Sequence, residues 1–461
     1  MRTGDDERML SAGYSRTFII MSFLVATFNF ADRSVFAVTA QQIKVDLNLT
    51  DFQLGLLQGL AFALLYALLG VPIGRLAERI SRVRIVATAI LFWSGMTVAC
   101  SAAGNFMQLM LCRVGVGMGE AGSQPATSSL VSDLFPRHRR ASVMGLILLG
   151  SPIGTFIGAS VGGAVAGMWG WRAAFIAMGL PGVLIGLLVL VLLREPRRGL
   201  ADNMPPTRTP APDFSAFLKV LTSKPALMFV IAGGALAGFG MSSISQFLAV
   251  FLARVYDLPA RSAGALYGTI SALALGSGLL IGSFGTDWLA RRGDGRWPAW
   301  GAAIGLFIAP FSYWIAFNAA TPWLGTVLLI VSGCFLLLYY GPTVGMIQNL
   351  LEPRMRATGA AVFGMLYTLV GYGGGPTFVG WMSDRFAASA FQGGDYLTQC
   401  QATAHGARVV DALHQACAAA AAAGVRSALM SAVCVFFVAG TMFLFAARTL
   451  RRDFYSAEPA A

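Results

Sequence analysis

The chain has 461 residues, of which 56% are apolar on a broad count and only 12% charged, where a soluble domain carries about 25% charged residues. With a mean hydropathy of +0.68, this composition excludes a soluble globular protein. The absence of a GxxxxGK[ST] phosphate loop argues against an ATP-driven pump within the chain.

Apolar blocks of about twenty residues, enough to cross about 30 Å of hydrocarbon as a helix, recur along the sequence. They predict twelve spans: 18–39, 52–74, 85–103, 106–130, 141–168 and 173–193, then 226–253, 262–283, 298–317, 322–350, 357–381 and 427–447. Between the sixth and seventh, residues 194–224 hold Arg194, Arg197, Arg198, Pro205, Pro206, Pro210 and Pro212, a polar, proline-stiffened linker. Its end, 214–221, reads either as a short helix on the membrane surface or as plain linker. The expected organisation is a tail (1–13), a six-helix bundle (14–193), the linker, a second six-helix bundle (225–448) and a second tail (449–461). The fold class is an all-α membrane protein.

Cytoplasmic loops retain Lys and Arg. With both termini inside, roughly 24 of the basic residues fall on the cytoplasmic side and about 6 outside. This places both termini in the cytoplasm of an inner-membrane protein and accounts for the +12 net charge, so nucleic acid is not an expected partner. No cleavable signal is expected, since the charged start lacks an A-x-A-like site after the first apolar block. Cys100, Cys112, Cys334 and Cys434 fall in spans and read as packing residues. Cys400 and Cys417 share the long loop before the last span, on the oxidising side, where a disulfide is an even alternative to two thiols. All three histidines (His138, His405, His414) lie in loops, so neither a buried metal site nor a His-based catalytic centre is expected, and no cofactor is. The run from Gly117 to Gly122 matches GxGxxG, but it sits in an apolar span without a preceding strand and reads as a flat helix face.

Ionisable groups at membrane depth are costly and mark substrate or proton pathways. Of the 21 acidic residues, Asp32 and Glu120 fall well inside spans. At about 1.5 Å per residue, Asp32 sits about 9 Å from the outer edge of the core, and Arg113, on the antiparallel fourth span, reaches the same depth. An Asp32–Arg113 pair is therefore expected. Glu120, seven residues after Arg113, lies on nearly the same helix face two turns closer to the cytoplasm. Arg33 is turned about 100° from Asp32 and is assigned to headgroup contact or ion pairing, to gating or to snorkelling. Desolvation and a nearby guanidinium act oppositely on a carboxyl, so this constellation suits a proton switch, with Asp32 and Glu120 as coupling acids. Once Asp32 is protonated, Arg113 could turn its planar fork to an anionic headgroup. The structural alternatives are a permanent ion pair between the first and fourth spans and a packing role for Glu120.

Internal repetition supports two halves. The fifth span carries Gly150, Ser151, Pro152, Gly154, Gly158, Gly162 and Gly163, and the eleventh carries Gly371, Gly373, Gly374, Gly375, Pro376 and Gly380. The loop Gly74-Arg75-Leu76-Ala77-Glu78-Arg79-Ile80-Ser81-Arg82-Val83-Arg84 has a weaker partner after the eighth span around Asp287. Parallel six-helix repeats are the arrangement of transporters that rock about a central site. On these residues the chain resembles the major facilitator superfamily over nearly its whole length. The loop is similar to that superfamily's signature G-x-L-A-D-R-x-G-R-K, with Glu78 for Asp, Ser81 for Gly and Val83 for Lys. Asn29-Phe30-Ala31-Asp32-Arg33, Arg113 to Ala121, and Ser132-Asp133-Leu134-Phe135-Pro136 resemble the Spinster lipid-transporter group. That likeness implies a lysophospholipid-like or sphingoid-phosphate-like cargo. A sugar-acid symporter branch shares part of the pattern and supplies the rival reading. Mechanically, Glu78 could accept from a helix N-terminus of the other half while Arg79, Arg82 and Arg84 meet carboxylates or lipid phosphate, holding the inner side shut.

The second half offers no comparable interior charge. Ser242, Gln246, Tyr339, Tyr340 and Tyr367 are the substrate-lining candidates, an apolar wall with scattered hydroxyls that suits the tail of an amphiphile. The sequence thus predicts a monomeric, proton-coupled secondary transporter in a lipid bilayer, carrying a small amphiphilic or anionic substrate by alternating access. An intramembrane enzyme is disfavoured because no nucleophile and base share a membrane depth; a non-transporting sensor would bind the ligand without moving it across.

Overall fold

The computed structural model describes residues 9–76, 80–198, 200–201, 214–352, 355–402 and 411–454. Among these, nine helical stretches are long and apolar enough to cross a membrane. One of them, Ser142–Leu192, is two spans joined at Gly170, where φ of +83° bends the rod. Two further rods, Phe106–Glu120 continued by Ser123–Leu134 and Arg356–Leu366 continued to Ala390, are interrupted by non-α turns. The result is the twelve-span order that the apolar blocks predict. The linker helix is present as Phe214–Ser223. Outward-facing apolar side chains such as Val191 (77% exposed) and Phe284 (72%) suit a lipid surround, in which every backbone group is satisfied within its own helix.

Two compact units form. The first comprises Met1–Leu49, Ala61–Thr209 and Leu258–Thr269; the second comprises Thr50–Leu60, Pro210–Asp257 and Ile270–Ala461. The opening turns of the second span thus pack with the second unit, and those of the eighth with the first.

Inside the first unit, Gly150, Gly154, Gly158 and Gly162 recur every four residues, so they fall on one face of the fifth span. That face lies directly on Phe23, Thr27, Ala31 and Val35 of the first span. A Cβ at Gly150 would stand 2.8 Å from the Phe23 carbonyl oxygen, and one at Gly154 or Gly158 would collide with the backbone of Thr27 or Ala31. In lipid, where water does not drive helices together, such close approach is the main attraction. Gly158→Leu is expected to lower stability by about 1–3 kcal/mol through overpacking, read as a lower midpoint of thermal unfolding in detergent; an unchanged midpoint would show that the two helices can separate at no cost.

In the second unit the eleventh span departs from α geometry at Tyr367–Gly374, a π turn. Gly371 and Gly375 there bring its backbone against Gly238 and Phe239 of the seventh span, and the Ser242 hydroxyl donates to the Gly371 carbonyl. Cys400 and Cys417 are joined in a disulfide that ties the helix Tyr396–Ala402 to the start of the last span.

Candidate transport site

Four ionisable side chains gather in the first unit. Asp32 (1% exposed), Arg113 (3%) and Glu120 (2%) are buried, and Arg33 is mostly so. Arg33 Nε donates to Glu120 Oε2 at 2.8 Å, and Nη2 reaches the same oxygen. Its guanidinium lies over Phe62, 4.4 Å from the ring centre, with Phe30 and Tyr66 each at 5.5 Å. The Arg113 guanidinium lies 4.7 Å from the centre of Phe36 and 5.6 Å from that of Phe62. Phe62 therefore serves both cations, holding each by the negative face of its ring.

Asp32 is the exception. Glu120 and Arg113 act on it electrostatically, and the side chains of Thr97 and Trp93 stand beside it, yet neither carboxyl oxygen has a hydrogen-bond partner. Glu120 Oε1, Trp93 Nε1, Thr97 Oγ1 and Ser94 Oγ are likewise buried without one. The closed Asp32–Arg113 pair expected from helix depth is not formed. The two residues are neighbours, but Arg113 lies on aromatic faces, and Arg33–Glu120 forms an ion pair between the first and fourth spans. Phe62 and Trp93 were not singled out in the sequence, where an aromatic in an apolar span carries no distinguishing signal.

The signature-loop residues divide. Gly74 lies within the helix Leu60–Leu76, and Glu78 and Arg79 lie outside the described residues. Arg82, 1% exposed, pairs with Asp133, donates to Ser129 Oγ at 2.9 Å, to Glu195 Oε1 at 2.7 Å and to the Pro196 carbonyl at 3.1 Å. All these partners belong to its own unit, so Arg82 braces the third and fourth spans to the chain leaving the sixth. Arg84 is exposed and opens the third span, where its N–H donates to the capping Ser81 hydroxyl. Asp287 sits in the first turn of Thr286–Arg292. Burial opposes the charge of Glu195, but the Val83 N–H, Arg82 and the Ser81 hydroxyl outweigh it and hold its carboxyl below the usual range. A group that binds its proton less readily folded than unfolded stabilises fully above its unfolded value, about 4.3 for Glu, and loses that contribution as pH falls through the folded value. Glu195→Gln is therefore expected to melt lower than wild type at neutral pH, with the gap narrowing below about pH 4; a gap that stays constant with pH would assign the loss to shape rather than charge.

In the second unit Tyr339, Tyr340 and Tyr367 come together with Tyr372 around Met241. The Tyr367 hydroxyl is 3.2 Å from the Met241 sulfur and 3.5 Å from that of Tyr339, and the rings of Tyr340 and Tyr372 lie 5.6 and 6.1 Å from Tyr367. Tyr339 is fully buried, Ser242 is engaged in helix contact, and Gln246 is 7% exposed. A second charged cluster, not anticipated, joins the ends of three spans in this unit. Asp51 accepts from Arg254 through two bonds of 2.6 and 2.7 Å and from the Ser383 hydroxyl at 2.6 Å. Asp384 accepts the Asp51 and Phe52 N–H groups at 3.0 and 2.8 Å. The buried phenol of Tyr396 faces the same cluster; burial first, and the Asp51 carboxylate second, push its pKa up to about 12. The sequence signal was weak, for Asp51 reads as an ordinary first-turn acid after the cap Thr50.

The family model of the Major Facilitator Superfamily matches residues 22–376. The chain belongs to that superfamily. An MFS-type efflux pump of Mycolicibacterium smegmatis is 33% identical over 78% of this chain and 82% of its own. A sphingosine-1-phosphate transporter of Mus musculus is 26% identical over 78% and 68%. Among solved structures, a bacterial homolog to the human lysosomal transporter Spinster, inward-facing and unoccupied, superposes with a TM-score of 0.86 at 30% identity, covering 97% of this chain and all of the other. This major facilitator protein is accordingly an integral membrane transporter of small substrates, Spinster-like, and not an enzyme.

Proposed function

We propose that this transporter moves an amphiphilic anion, a lysophospholipid or a sphingoid phosphate, in exchange with or alongside protons by alternating access, with both termini cytoplasmic in the inner membrane. The observation that carries the reading is the Asp32 carboxyl, buried without a hydrogen bond beside Arg113 and Glu120. A charged carboxylate in such a place needs a partner or a proton. A proton on Asp32 cancels the negative charge facing Arg113, and an anionic headgroup can replace it there; when the headgroup leaves, Arg113 again favours the charged carboxylate. Proton and cargo thereby compete for one guanidinium, which is the requirement for coupling. The aromatic rings packed around Arg113 favour an amphiphile, since they surround the headgroup with apolar area while the Arg113 fork holds phosphate. The likeness to Spinster proteins and to a sphingosine-1-phosphate transporter supports the same class.

Proteoliposomes supply the test. Purified protein is reconstituted with a fluorescent lysophospholipid, a sphingoid phosphate or a sugar acid, with and without an imposed pH gradient. Gradient-dependent movement of either lipid supports the proposal. Movement of the sugar acid alone would establish the rival cargo, and lipid movement indifferent to the gradient would remove proton coupling.

A further inference from the structure

The third and fourth spans, Arg82–Cys100 and Phe106–Glu120, run antiparallel in a tight register set by glycine. A Cβ at Gly119 would stand 2.9 Å from the Trp93 Cβ, and one step along, a Cβ at Gly115 would stand 3.0 Å from the Met96 sulfur. Continuing that register by one more turn on each helix sets Cys112 opposite Cys100. The two thiols act on each other electrostatically. Cys100 is fully buried and Cys112 half-buried, and both are reduced. Cys112 directly precedes Arg113, and Cys100 lies within electrostatic range of both Arg113 and Asp32.

From this juxtaposition we infer that Cys100 and Cys112 are a reversible dithiol–disulfide site that controls the Arg113 cluster. The accessible thiol is Cys112, and the reactant is a disulfide of the surroundings. The Cys112 thiolate attacks one sulfur of that disulfide, forming a mixed disulfide and releasing one reactant thiolate. Cys100 then attacks the Cys112 sulfur, passing its proton to the second thiolate as that thiolate departs. The two cysteines are oxidised by two electrons, the reactant disulfide is reduced to two thiols, and each departing thiolate takes up a proton. A disulfide asks for Cα atoms about 4.4–6.8 Å apart, a closeness of the kind glycine already imposes on the two adjacent rungs. Once formed, it fixes the residue before Arg113 to the neighbouring helix and restricts the turn of the guanidinium between carboxyl and headgroup. The opposite interpretation, two thiols that only fill space, predicts no chemistry between them.

The sequence makes the site easy to read, because residues 85–113 contain no Lys or Arg before Arg113 and leave trypsin as one peptide. Whole protein in membranes is treated with oxidised glutathione or dithiothreitol, alkylated with iodoacetamide, digested and weighed. The peptide is expected to carry two labels after reduction and none, with the loss of two hydrogens, after oxidation. Transport of the fluorescent lysophospholipid in proteoliposomes is expected to stop on oxidation and return on reduction, and Cys112→Ser and Cys100→Ser are each expected to transport it regardless of glutathione. Two labels after oxidation, or glutathione retained on Cys112 without closure, would overturn the site. Closure with transport unchanged would overturn its control of the cluster. The peptide measurement needs no cargo, so its result stands apart from whether lipid is the substrate.

Discussion

Proteoliposomes carrying Asp32→Asn will bind the lipid cargo but move it at the same rate with and without a pH gradient. Asparagine keeps the size of the side chain in a site packed by Thr97, Trp93 and Arg113 while removing the exchangeable charge, so binding survives and linkage does not. Retained gradient dependence would make Asp32 a structural residue and shift coupling to Glu120. The companion variant Arg113→Lys keeps the positive charge but loses the planar fork and much of the contact with Phe36 and Phe62. A charge-assisted hydrogen bond contributes about 1.5–3 kcal/mol, so transport is expected to fall roughly ten- to a hundredfold. Wild-type rates in the lysine variant would rule out headgroup recognition by the fork.

Asp51→Ala is expected to cost roughly 3–5 kcal/mol, the range for removing one partner of a buried ion pair. Its carboxylate is fully buried and Arg254 is 5% exposed, so neither charge is screened by solvent. The loss strips Arg254 of a two-pronged acceptor and the Ser383 hydroxyl of its partner. Thermal unfolding and the yield of monodisperse protein in detergent give the readout. Adding Arg254→Leu to Asp51→Ala is expected to recover much of the stability, because the second change removes the charge that the first one stranded. Two losses that simply add would mean that the pair contributes no coupling.

Much of the architecture was legible in the residues. Apolar blocks the width of a bilayer set the twelve spans, and the glycines of the fifth span were legible as a repeat of the eleventh, while their contact with the first span came from the structure. The charged cluster was legible as composition: acids and guanidiniums at membrane depth are rare enough that Asp32, Arg33, Arg113 and Glu120 stood out by type and position. Their pairing was not. Helix rise gives depth along the membrane normal, but which guanidinium turns to which carboxyl depends on side-chain reach and on the aromatic surfaces offered by other helices. Phe62, on the second span, draws both cations, and no arithmetic on the first and fourth spans contains it. The signature loop shows the same limit: its charges suggest an inner-side latch made with carboxylates or lipid phosphate, and the structure gives Arg82 the partners Asp133, Ser129, Glu195 and Pro196 of its own unit.

The sequence by itself determined that this chain lives in lipid, how many times it crosses, and which side chains are too costly to be there without a task. That follows from local physics, the price of exposing polar groups to hydrocarbon and the rise of a helix. Only the tertiary structure decided that Arg33 takes Glu120 while Asp32 keeps no hydrogen bond, that Asp51 meets Arg254 from 203 residues away, and that glycine sets the register of the third span on the fourth. Those outcomes depend on rotation and contact between helices distant in the chain, and a one-dimensional pattern fixes neither.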